Sequence, residues 1–144
     1  MSKALDIADT IAARLNALPT LAGVPCLVDR QKDVANLVAG LVNKGKACCV
    51  SILYHGFANS NSSRSGRAMV ARHYTASVYG RAVLAANAGA LADDVEEIVS
   101  HALHFWDPER DASGFEEIDV SRSSLRPDKT YLIYDIDISV SSDL

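Results

Sequence analysis

Two histidines in the segment HALHFWDPE have the residue type and the spacing of metal ligands. His101 and His104 stand one helical turn apart, with Glu97 a turn earlier and Asp107 shortly after. Imidazoles at this spacing on a helix can bind the same metal ion. The sequence specifies no third or fourth ligand, and the helix dipole also stabilises histidines near a helix C-terminus. We therefore favour structural histidines, and we expect no bound metal and no other cofactor.

Cysteine chemistry is the second possibility. Cys48 and Cys49 lie in the apolar run ACCVSILYHGF. Two candidate bases, His55 and His73, lie on neighbouring predicted strands. A thiol inside an apolar run keeps a high pKa and stays unreactive, so a cysteine nucleophile is disfavoured. Because three cysteines cannot all pair, we expect Cys26, Cys48 and Cys49 to be reduced core residues.

A local basic cluster surrounds the predicted hairpin and consists of Arg64, Arg67, Arg72 and Arg81. The net charge of -4 opposes a general attraction to nucleic acid or to anionic membranes. Aromatic residues are not interleaved with these arginines, as base stacking would require. We favour a solvated hairpin arm or a contact with an acidic protein, and we expect no specific nucleic-acid partner and no membrane partner.

The sequence contains no further motif that specifies a reaction. It lacks a glycine-rich phosphate loop after a strand, and it lacks the G-x-S-x-G, C-x-x-C and H-E-x-x-H patterns. It also has no run of roughly 20 apolar residues, which is the length that a membrane-spanning helix needs. We therefore expect a non-enzymatic protein that stays in the cytoplasm where it is made.

Apolar residues at helical spacing predict three helices. The first covers residues 3–18, and the second follows an apolar stripe from Val34 to Val42. The clearest helix lies within 84–108, where Asn87 can act as the N-cap and Pro108 ends the helix. Its predicted core-facing stripe is Leu91, Val95, Ile98, Ala102 and Phe105.

Strand signals occur at 24–28, 47–57, 68–80, 115–125 and 130–140. Alternation along 47–57 places Tyr54 and Phe57 on opposite faces, both largely apolar. In the last strand, Tyr131 and Ile133 lie opposite the apolar row, where we expect them to be exposed. The order of elements predicts a single α+β domain over 1–144, with a mostly antiparallel sheet, two long hairpins and helices packed on one face.

Two long runs, RHYTASVYGRAVLAANAGALADDVEEIVSHALHFWDPE and FEEIDVSRSSLRPDKTYLIYDIDISVSS, carry a resemblance. They resemble the minor tail proteins of long-tailed bacteriophages, especially the tail terminator (tail completion) family. The resemblance implies a tail-terminator-like α+β fold and a hexameric ring that caps the tail tube, stops its polymerisation and faces the head connector. It also implies a structural protein of the virion tail, present in the host cytoplasm during assembly, with no catalytic residue.

A loop at 58–66 separates the strands of the first hairpin and is poor in apolar groups. Such a loop cannot offset its ordering entropy in a free subunit, so we expect it to become fixed only when a partner packs on it. The protein-interaction residues would be Asn59, Ser60, Asn61, Ser62, Ser63 and Arg64. The alternative is a flexible hairpin tip without a partner.

The expected partners are further copies of the chain, the tail tube protein and the head connector or neck protein. Tyr131 and Ile133 are the candidate subunit contact, and a free subunit would be monomeric at low concentration. Two alternatives stay open: another neck or head-completion adaptor, and, from a different class, a small cytoplasmic metal-dependent enzyme or regulatory binding module. A pocket that holds a metal between His101 and His104 would favour the enzyme.

Overall fold

The computed structural model describes residues 3–29, 48–59, 69–81, 92–104, 106, 115–126 and 131–143. The predicted helix at 34–42 lies outside these residues, and so do residues 60–66 of the predicted loop. The same holds for the predicted helix cap Asn87 and for Leu91 and Phe105 of the predicted stripe. The other predicted helices and strands fall mainly within the described residues.

The first helix, α1, spans Lys3–Asn16 and is followed by a short 3-10 helix at Pro19–Leu21. Its apolar residues recur every three or four positions, so one face of the helix is buried. Asn16 ties the end of the helix to the first strand. Its Nδ2 donates to the Cys26 carbonyl at 2.9 Å, and its Oδ1 accepts from the Cys26 amide at 3.1 Å.

The helix α2 spans Ala92–Leu103. Its buried residues are Ala92, Val95, Val99 and Leu103. Of the predicted stripe, Val95 is buried, and Ile98 and Ala102 are half-buried and pack against the edge of the core. This helix has two adjacent apolar columns, and periodicity alone does not say which of them meets the sheet. At the N-terminal end Ala92 packs directly on Gly80, where an added Cβ would lie 2.5 Å from the Ala92 Cβ.

In the described ranges, five strands form one mixed sheet: β1 (Cys26–Val28), β2 (Cys48–Asn59), β3 (Met69–Arg81), β4 (Phe115–Arg126) and β5 (Tyr131–Asp143). Their order is β1-β2-β3-β5-β4, with β1 parallel to β2 and the other neighbours antiparallel. The helices pack on one face, which confirms the predicted α+β class with a mostly antiparallel sheet. No helix in these ranges is long and apolar enough to cross a membrane.

The hydrophobic core lies between the helices and the sheet face that they cover. The strands contribute Cys26, Cys48, Val50, Ile52, Tyr74, Ala76, Val78, Ile118, Ile136, Ile138 and Val140. The hydroxyl of Tyr74 is satisfied inside this core, because it donates to the carbonyl of Ala4 at 2.8 Å. Burial raises the pKa of Tyr74 above its usual range. This bond links the middle of the sheet to the start of α1.

A bulge in β2 changes the face on which Phe57 lies. Tyr54 and Gly56 pair with successive residues of β3, so His55 is the extra residue of the bulge. Gly56 has a φ of 120°, in the region that residues with a side chain rarely adopt. The prediction that Tyr54 and Phe57 lie on opposite faces is therefore wrong. The extra residue moves Phe57 to the helix-covered face, where it pairs with Arg72.

Candidate functional site: the open face of the sheet

The sheet face turned away from the helices, called the open face below, carries a network of polar side chains. Strand register aligns these side chains in rows. One row is Leu27, Ser51, Ser77, Asp135 and Ser124, and the next is Leu53, Thr75, Asp137 and Arg122. Most of them, together with Asp29, His55, Tyr79 and Arg126, line a shallow concavity of ≈ 580 Å³.

Asp135 is the best-bonded carboxylate of the open face. Arg126 donates to it twice, from Nε to Oδ2 at 2.9 Å and from Nη2 to Oδ1 at 3.3 Å. Ser77, itself buried, adds a bond from Oγ to Oδ1 at 2.7 Å. The bonds to Asp135 are the main cause of a raised pKa at Arg126. Such bidentate pairs hold both side chains in one geometry, so this part of the face is preformed.

Asp137 has weaker partners. Thr75 Oγ1 donates to its Oδ1 at 3.4 Å, and Arg122 Nε lies 3.8 Å from its Oδ2. His55 Nε2 is hydrogen-bonded to the same hydroxyl of Thr75. The hydroxyl thus lies between the imidazole and the carboxylate, whereas activation of a hydroxyl nucleophile needs the imidazole in the middle. These contacts suit binding better than hydroxyl activation.

Ile133 lies on the open face as predicted, but the expectation that it is exposed is wrong. Only 3% of its surface is accessible. In register it lies between Tyr79 and Arg126, and the Arg126 guanidinium reaches to 6.0 Å from the Tyr79 ring. The arginine side chain therefore crosses over Ile133 and covers it. Of the two predicted contact residues, only the half-buried Tyr131 keeps surface for a partner.

His101 and His104, the two candidate metal ligands, lie at the C-terminal end of α2, and both are exposed. His104 Nδ1 accepts a hydrogen bond from the Val120 amide at 3.2 Å and lies 3.9 Å from Asp119 Oδ1. In the described part of the chain, no three His, Cys, Asp or Glu side chains form a group that could hold a metal ion. His104 therefore has a structural contact with β4, and the absence of a metal stays a prediction.

The cysteines are buried free thiols, which confirms the expected reduced state. Cys26, Cys48 and Cys49 are all buried. Burial raises the pKa to about 12 for Cys26, to about 11 for Cys48 and to about 12 for Cys49. At neutral pH each thiol is protonated, so none of them is poised as a nucleophile.

The predicted basic cluster is only partly within the described residues. Arg72 is 6% exposed and lies on the helix-covered face, so its assignment to a solvated hairpin arm is wrong. Its Nε donates to Ser142 Oγ and its Nη1 to Tyr54 Oη, both at 2.9 Å. The guanidinium also lies 5.5 Å from the Phe57 ring centre. Of the predicted interaction loop, Asn59 is the last residue of β2, and 60–64 lie outside the described residues.

Sequence reasoning did not single out the arginines and hydroxyls of the open face. Alternation did place Asp135 and Asp137 on the polar face of β5. The positions of Arg122 and Arg126 depend on a bulge between Val120 and Arg122, which shifts every later residue of β4. A period of two cannot reveal such an insertion, so the match between β4 and β5 needed the structure.

Comparison with known proteins does not assign the chain to a family. No family model matches it, and no curated protein matches it. The likeness to tail terminators therefore rests on the two sequence runs.

Proposed function

We propose that the chain is a non-enzymatic tail terminator subunit, which forms a ring on the end of a phage tail tube and joins the tube to the head connector. The observation that carries the proposal is the one-sided architecture. Helices cover one face of a mostly antiparallel sheet, while the other face carries a preformed network of charged and hydroxyl side chains. Such a layer suits a subunit whose uncovered surfaces meet neighbours in an assembly.

The chemistry of the open face supports an assembly role. Asp135 and Asp137 already have arginine and hydroxyl partners, and the Thr75 hydroxyl is not hydrogen-bonded in the arrangement that activates a nucleophile. The thiols are buried and protonated at neutral pH. Within the described residues, His104 and His55 are engaged in hydrogen bonds to neighbouring strands.

The proposal is tested by adding the purified protein to tail tube protein while it polymerises, with electron microscopy of the products. A terminator is expected to bind one end of each tube and to stop growth, so the mean tube length falls as its concentration rises. A neck adaptor would bind finished ends without changing their length. Tubes of unchanged length with no protein on their ends would contradict the proposal.

A further inference from the structure

Some backbone groups at both edges of the sheet already have hydrogen-bond partners within the described residues. At β1, the side-chain amide of Asn16 is hydrogen-bonded to both the backbone N–H and the backbone carbonyl of Cys26. At β4, the Ile118 amide donates to Trp106 O at 3.1 Å, and the Val120 amide donates to His104 Nδ1. Two register shifts between β4 and β5 add to this protection. These contacts oppose strand addition at those positions, so we expect side chains to contribute to a contact between subunits at either edge.

One row of the open face has opposite charges at its two ends. The row Leu53, Thr75, Asp137 and Arg122 ends at β4 in a base. At the β1 end it is extended by Asp29, whose amide donates to Ile52 O at 2.7 Å and whose side chain faces the same concavity as Leu53. The row thus begins with an acid at one edge and finishes with a base at the other.

Arg122 is available for a partner. Its side chain is 71% exposed, and its distance of 3.8 Å to Asp137 is too long for a hydrogen bond. Arg126, two positions further along the same face of β4, is instead held by two bonds to Asp135. The difference makes Arg122 the arginine of β4 that a second subunit can recruit.

We propose that neighbouring copies of this chain associate head to tail, with Arg122 of one subunit paired with Asp29 of the next. The arrangement of charges favours this mode over the pairing of like edges. Two β4 edges related by a two-fold axis would bring arginines together, and two β1 edges would bring Asp29 to Asp29. A head-to-tail contact repeats with the same sense at every junction, so it closes into a ring when the rotation permits. The proposed ring supplies the setting for this contact.

Charge exchange between the two edges tests the pairing in sedimentation and cross-linking experiments on concentrated protein. Arg122→Asp and Asp29→Arg are each expected to lose the assembled species. The double variant, which swaps the two charges, is expected to regain it. Arg122→Lys keeps the charge and is expected to assemble. Glu97→Arg, on the exposed face of α2, changes the net charge as Asp29→Arg does and serves as the matched control, because it is expected to assemble.

A mixture of the two single variants gives a second test of the pairing. Arg122→Asp leaves acids at both positions and Asp29→Arg leaves bases at both, so every junction between unlike subunits is attractive. Equal amounts should therefore assemble in alternation, which neither variant does alone. Circular dichroism confirms that each variant is folded.

The pairing is overturned if both single variants assemble as well as the wild-type protein. It is also overturned if the double variant is folded but does not regain assembly. It is equally overturned if the concentrated wild-type protein stays monomeric. The tail terminator role fails separately, if charge-dependent assembly is observed but tube length does not respond to the protein.

Discussion

Replacing Gly80 with alanine tests the contact between α2 and β3. The added Cβ would lie 2.5 Å from the Ala92 Cβ, a separation that carbon atoms do not adopt, so the helix must move away from the strand. The atom in the way belongs to a short side chain that cannot rotate aside. Overpacking of this kind costs about 1–3 kcal/mol. For a chain of this length, we expect the melting temperature to fall by about 3 °C for each kcal/mol.

The partner variant Ala92→Gly makes the test specific. Once that Cβ is gone, the nearest atoms to an alanine Cβ at position 80 are the backbone Cα and N of residue 92, at 3.4 and 3.6 Å, which are near-ordinary contacts. Ala92→Gly alone should cost up to about 1 kcal/mol through helix propensity. The double variant should therefore be more stable than Gly80→Ala in urea and thermal unfolding. A Gly80→Ala protein as stable as wild type, or a double variant whose costs simply add, would refute the close packing.

Three further variants or conditions probe the described contacts. Asn16→Ala removes both hydrogen bonds to Cys26 and should lower the free energy of unfolding, measured by urea titration, by about 1–3 kcal/mol. A loss smaller than a few tenths of a kcal/mol would show that the bonds are dispensable. Ile133→Asp places a charge at a buried position and should unfold the domain, which circular dichroism would detect, while Ile133→Val should lower the free energy of unfolding by only about 0.5–1.5 kcal/mol. An Ile133→Asp protein of native stability would show that the site is open to solvent. The buried thiols should make the free energy of unfolding fall as pH rises. Their pKa values in the folded chain, about 11 to 12, lie above the ordinary 9.0, so the unfolded chain loses these protons first. The stability that the protonated thiols contribute below pH 9 therefore disappears between pH 9 and about 12. Unfolding midpoints measured from pH 8 to 11 check this, and substitution of Cys49 by alanine should flatten the slope.

Much of the fold could be predicted from periodicity, because one-sided burial leaves a pattern in the sequence. The apolar residues of α1 recur at helical spacing, and β5 alternates between apolar and polar residues for most of its length. The three cysteines were recognisable as core residues for the same reason. The class of the fold and the placement of helices on one face of the sheet follow from these local patterns.

The candidate site was hard to predict because it depends on insertions and on long side chains. The bulge at His55 moves Phe57 to the other face, and a second bulge sets the register of Arg122. Ile133 looked exposed because it lies on the polar side of β5, next to Asp135 on the same face, yet Arg126 from the adjacent strand covers it. Cover of this kind is a property of cross-strand pairs, which a single strand's pattern does not encode.

The length of tails in particles assembled without this protein tests the central proposal most directly. Tail terminator function requires that tube growth continues when the cap is missing, so electron micrographs should show tails longer than normal and of variable length, with few joined heads. Restoring the protein should return a single tail length. Tails of normal length in its absence would contradict the terminator role.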